Sequence, residues 1–142
     1  MSLNLKIVKM DIKTAKLCLS PVYNWFNDEK LYSNAAYHAE QAVEKCLKII
    51  LVQDYGIVET TKRYRTHDIP DLLAFIEECK ESSEKDVRVA IPEIIDNLSI
   101  EIKAWEANTR YNDNMVILRS KILKVVQANE KLQKDMKKKG YI

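Results

Sequence analysis

The sequence predicts an all-α fold, an antiparallel up-and-down helical bundle of four long helices and one short helix. Three observations predict it. Only two glycines and three prolines occur in 142 residues, which leaves little turn chemistry for a many-stranded sheet. Apolar residues recur at alternating three- and four-residue spacings over long runs, the period of a helix with one face toward a core. The composition, 46% hydrophobic and 31% charged, is an ordinary soluble mixture. A chain of this length removes about 68% of its unfolded surface from water on folding, so one core needs no disulfide or metal support. A single domain over residues 1–142 is therefore expected.

The first stripe, Leu5, Val8, Ile12, Ala15, Leu19, Val22 and Phe26, marks a helix that Pro21 should kink or interrupt. Asn27 and Asp28 end it or cap the next one. From about Lys30 to Tyr55 the longest helix carries Tyr32, Ala35, Ala39, Ala42, Val43, Cys46 and Ile50 on one face. Asn34, His38, Gln41, Lys45 and Lys48 gather on the opposite side, and Gly56 terminates the helix. Residues 57–67 have no helical period and read as a loop. Asp68 has the chemistry of an N-cap, with Pro70 in the first turn and Asp71 three residues on. The short helix behind it should bury Leu72, Leu73 and Ile76. The polar run Lys80 to Asp86 reads as a connector. A fourth helix then carries Ile91, Ile94, Ile95, Leu98, Ile102 and Trp105, with Pro92 in its first turn or at a bend. Asn108 to Asn114 is turn-prone. The last helix carries Met115, Leu118, Ile122, Val125, Leu132 and Met136, and Gly140 stops it.

A net charge of +2 excludes the global basic field of a dedicated DNA-binding protein, so any nucleic-acid role must come from a local patch. Cys18, Cys46 and Cys79 are odd in number and widely spaced, with no CxxC pair; free thiols in a reducing cytoplasm are expected. No apolar run approaches the ~20 residues that span a bilayer, so no membrane association is expected. Neither glycine belongs to a phosphate-binding loop, and two histidines with three scattered cysteines make no zinc spacing. Cys46 lies on an apolar stripe rather than beside a base. No metal, no cofactor and no catalytic residue is expected.

Three stretches resemble a known family. Ala36-Tyr37-His38-Ala39-Glu40-Gln41-Ala42-Val43-Glu44-Lys45-Cys46-Leu47-Lys48 is similar to the central helix signature of HEPN domains, aromatic-His-x-x-Gln-Ala-x-Glu-Lys-x-Leu-Lys. Thr66-His67-Asp68-Ile69, followed by Leu72-Leu73, resembles that family's Thr-His-Asp-Leu step into the next helix. Thr109-Arg110-Tyr111 resembles its Ser/Thr-Arg-Tyr element near the end of the domain. The resemblance implies a helical bundle that commonly forms a homodimer. In bacteria such a protein is often encoded beside a minimal nucleotidyltransferase, as half of a toxin–antitoxin-type module. Some members are ribonucleases, using an arginine and a histidine with four to six residues between them, placed late in the bundle. Here no histidine follows Arg88, Arg110 or Arg119, and three residues separate Arg63 from His67, so that pattern is absent.

Three groups are candidates for binding. His38, Gln41, Lys45 and Lys48 could offer donors to a nucleotide's phosphate oxygens, or could simply be the wet or dimer-facing side of an amphipathic helix. Lys62, Arg63, Tyr64, Arg65 and His67 could contact RNA, with cations around a ring that stacks a base. Equally, they could form a solvated loop with one aromatic turned inward and His67 fixing the helix start. Arg110 with Tyr111 could clamp a phosphate, or Arg110 could pair with Glu106 or Asp113. The lysines 134, 137, 138 and 139 could touch RNA, or could simply complement a helix C-terminus. The sequence thus favours a non-catalytic HEPN-like protein that binds a nucleotide or a nucleotidyltransferase. A HEPN-type ribonuclease toxin built on Arg63 and His67, with or without Arg110, or a purely structural dimeric helical adaptor, is the alternative.

Overall fold

Six helices make up the part of the chain that a computed structural model describes, residues 3–20, 29–111 and 119–142. The side chains of residues 29–31 and 106–111 are outside that description. The helices are α1 (Leu5–Leu19), α2 (Glu29–Tyr55), α3 (Ile69–Ser83), α4 (Glu93–Asn97), α5 (Ser99–Tyr111) and α6 (Arg119–Lys138). No strand occurs among the described residues. Pro21, Val22, Phe26, Asn27, Asp28, residues 112–114, Met115 and Leu118 lie outside them.

Local chemistry sets the ends. The Asn4 side chain accepts a hydrogen bond from the Ile7 N–H and caps α1. Asp68 does the same for α3, its Oδ1 accepting from the Asp71 N–H at 3.0 Å. Gly56 takes φ +65° and returns its N–H to the Val52 carbonyl, the left-handed cap that closes α2. Gly140, at φ +88°, closes α6 with the Tyr141 N–H bonded to the Met136 carbonyl and its own to Lys137, a Schellman arrangement.

Two boundaries differ from the sequence expectation. The helix after Asp68 is not short: it runs through Ser83, taking in much of the polar stretch read as a connector, because Lys80 to Ser83 are good enough helix formers to extend a capped helix. The fourth helix divides into α4 and α5 at Leu98, which sits at φ −101° and ψ 12°. Pro92 precedes α4 as its N-cap. Helix α5 also continues through Tyr111, across part of the segment read as a turn.

Helix α2 is the axis of the molecule, packed by α1, α3, α5 and α6. The start of α1 meets Ile142 and its end meets Arg119, so α1 and α6 are antiparallel. After α2 the connection doubles back, bringing His67 to Glu44, and α3 then rises to Lys85 beside Tyr55. Helix α3 thus runs in the same sense as α2, the one departure from simple alternation. From Arg88, held at the end of α2, the chain returns until Lys103 reaches Asp68 at the start of α3. The core joins the expected stripes: Val8, Ile12, Ala15 and Leu19; Ala35, Ala39, Val43, Cys46 and Ile50; Leu72 and Ile76; Ile95, Ile102 and Trp105; Ile122, Val125, Leu132 and Met136. Leu47, Ile49 and Leu51 are buried too, since neighbours surround α2 on most sides.

Candidate functional site

Asp11 is the residue from which the candidate site grows. It lies one step from Ile12 on the rim of α1's apolar stripe, so docking on α2 buries its carboxylate against the polar edge of that helix. Its Oδ1 accepts a hydrogen bond from His38 Nδ1 at 2.9 Å, and its Oδ2 accepts from Lys45 Nζ at 2.6 Å. Burial alone pushes the Asp11 carboxyl up; the hydrogen bonds and charges of His38 and Lys45 outweigh it and hold the group below its ordinary value. Gln41 stands between them along the helix and donates to Glu40 at 2.7 Å. One buried carboxylate therefore orients two of the four candidates on this helix.

Lys48 does not belong to a solvated face. It is 7% exposed, donates to Glu44 at 3.2 Å, and places its ammonium 5.2 Å from the centre of the Tyr64 ring. The loop after α2 folds back over this part of the helix and covers it. Glu44, itself buried, also accepts from His67 Nδ1 at 2.8 Å. Glu44 is thus shared between Lys48 and His67, and the pair fastens the loop to α2.

The loop candidates separate accordingly. Tyr64 is turned inward beneath Lys48, with its hydroxyl pushed up by burial first and by Glu59 and Glu44 second, so its ring offers no face for a base. Arg63 pairs with Glu78 and lies 4.5 Å over the Phe75 ring, away from His67. Lys62 and Arg65 make no ion pair among the described residues. His67 is anchored at Nδ1 while half its surface is exposed. Arg110 and Tyr111 end α5, and their side chains fall outside the described residues.

A second polar centre escaped the sequence reading. Asp54, near the end of α2, is fully enclosed and accepts from Arg88 Nε at 2.5 Å and from the Tyr141 hydroxyl. The Arg88 guanidinium lies 4.2 Å over the Tyr141 ring. Burial, then the hydrogen bond to Asp54, pushes the Tyr141 hydroxyl well up. These groups, with Arg88 Nη1 also donating to the Lys139 carbonyl at 3.3 Å, tie α2, the α3–α4 connection and the end of α6 together. The only sequence signal was an acid, Asp54, in the last turn of a helix with no cation close in sequence.

Among the described residues no three His, Cys, Asp or Glu side chains gather as metal ligands, and no helix is long and apolar enough to cross a membrane. The sequence model of the HEPN domain matches residues 9–138, a span that contains the Asp11, His38 and Lys45 cluster, the His67 loop and Arg110. No curated protein and no solved structure matches the chain. The match covers nearly the whole sequence and coincides with an all-helical architecture: this chain belongs to the HEPN domain family.

Proposed function

We propose that this HEPN protein is a binding protein rather than a ribonuclease. It engages a nucleotide, or a partner minimal nucleotidyltransferase, along the α2 edge formed by His38, Gln41 and Lys45, with Arg110 and Tyr111 contributing from the end of α5. The observation that carries this reading is the double hydrogen bond of Asp11 to His38 and Lys45. A buried carboxylate that fixes two neighbouring donors lowers the cost of ordering them around a ligand. Because Asp11 already neutralises Lys45, the edge offers directed hydrogen bonds more than net positive charge. That favours base and ribose groups, or a protein surface, over bare phosphate. In the family setting the protein acts as a homodimer and as one half of a toxin–antitoxin-type pair.

Calorimetric titration with adenosine and guanosine nucleotides tests it. His38→Ala combined with Arg110→Ala should weaken binding about tenfold or more, as loss of hydrogen bonds to charged groups does. Helicity should be retained. Unaltered affinity in a folded double variant removes the proposal. Co-expression with a nucleotidyltransferase encoded beside it tests the partner.

One observation favours an enzyme. His67 is held at Nδ1 by the buried Glu44, and its Nε2 makes no hydrogen bond among the described residues, which is how a general base is oriented. Arg63, however, is committed to Glu78 and Phe75. RNA cleavage that disappears in His67→Ala would place the chain among the ribonucleases instead.

A further inference from the structure

The face of the molecule opposite the Asp11 cluster holds a groove of about 1230 Å³ between the antiparallel helices α1 and α6. Lys6, Lys9, Lys13 and Lys16 form its α1 wall, and Lys134 and Lys137 stand on the α6 wall. At 100° per residue the four α1 lysines fall within a sector of about 80°, so they form one row. Among the described residues Glu130 is the one acid lining the groove, and it pairs with Lys16 at 3.3 Å. The other five lysines make no ion pair among the described residues. A chain with a net charge of +2 therefore concentrates six cations and a single anion, among the described residues, along one groove. Complementing a helix dipole accounts for the end of α6, but not for a matching row along all of α1.

Between the walls the surface is aliphatic. Ile12 and Tyr141 close the floor, Leu5 and Ile142 present apolar area beside it, and Leu17, 50% exposed, lines the groove at the outer edge of the lysine row. We infer that this groove is a docking site for an amphipathic acidic helix of a protein partner, with leucine-like side chains on the floor and Glu or Asp rows facing the lysines on either wall. The length fits: α1 offers 15 residues, a trough of roughly 22 Å, which matches a helix of about four turns. The lysine stems extend the apolar walls while their ammonium groups reach the rim, which suits a ligand that is apolar below and anionic at its flanks. A nucleic-acid strand fits less well. It needs aromatic faces for its bases, and Tyr141, the one lining aromatic among the described residues, is buried. A bilayer surface does not enter a trough walled on both sides.

The test uses the intact protein and a fluorescently labelled synthetic peptide of about 18 residues, with leucine at three- and four-residue spacings and glutamate on both flanks. Anisotropy should show saturable binding. A peptide with the same charges but serine for every leucine should bind about tenfold or more weakly. Lys9→Glu with Lys134→Glu should likewise weaken the parent peptide about tenfold or more. Leu17→Asp, a surface change that leaves the core intact, should do so as well. His38→Ala should change nothing here, which separates this site from the α2 edge. The inference is overturned if the peptide does not bind to folded protein, or if the serine peptide binds equally well. It is also overturned if an oligouridylate or phosphatidylserine vesicles bind through these lysines with no effect of Leu17→Asp.

Discussion

Asp11 gives up water to sit between α1 and α2, and His38 and Lys45 supply the hydrogen bonds that replace it. Its folded-state value is lowered, so the stability it contributes is fully present above the ordinary carboxylate range. That contribution is lost as pH falls through the lowered folded value. Acid titration of stability should therefore show a loss below about pH 4 that is flattened in Asp11→Asn. A profile unchanged by the substitution would contradict the linkage. Asp54 makes a sharper case because it is enclosed and paired. Replacing Arg88 with alanine leaves that carboxylate with the Tyr141 hydroxyl and backbone alone, and should cost about 3 kcal/mol in urea unfolding. Tyr141→Phe removes one hydrogen bond to a charged group, and should cost about 2 kcal/mol. Thiol chemistry follows the same physics. Complete burial pushes Cys46 up to about 12, and the Asn129 amide donates to its sulfur at 3.7 Å. An aromatic disulfide reagent should modify the half-buried Cys18 first and reach Cys46 only on unfolding.

At the scale of elements, caps carry the testable content. Asp68→Ala removes the acceptor of the Asp71 N–H and should lower stability by about 1 kcal/mol. Gly56→Ala meets no steric obstacle but must adopt φ +65°, and should cost about 1 kcal/mol. Both residues were legible in the sequence, because capping is local chemistry written within four or five positions. The stripes on α1, α3 and α6 were legible for a similar reason, since period alone marks one buried face. Helix α2 was read less completely. Periodicity found the seam through Ala39 and Cys46, but it could not show that Glu44 and Lys48 are buried. Their cover comes from Tyr64 and His67, on a loop whose path no local pattern encodes. The division of α4 from α5 was hidden because one non-helical residue, Leu98, leaves the apolar spacing intact on either side.

Across the whole molecule, polar groups divide into those that hold the bundle and those that face outward. Asp54 and Asp11 each bind two partners from other segments, and Glu44 joins Lys48 on its own helix to His67 on the loop; these cross-segment contacts were invisible because the partners lie far away in sequence. His38 and Lys45, which were legible as a polar strip, turn out to be half-engaged with Asp11. The lysines of α1 and α6 were legible singly, and only the antiparallel packing of the two helices sets them across from one another. The hydrogen bond from the Leu5 N–H to the Ile142 carbonyl, at 2.9 Å, joins the two stretches most distant along the chain. Neither stretch can fray alone without breaking that bond. Deuterium uptake at the Leu5 amide should therefore report the lifting of the α6 end as much as the loosening of α1, making the two ends one cooperative opening unit.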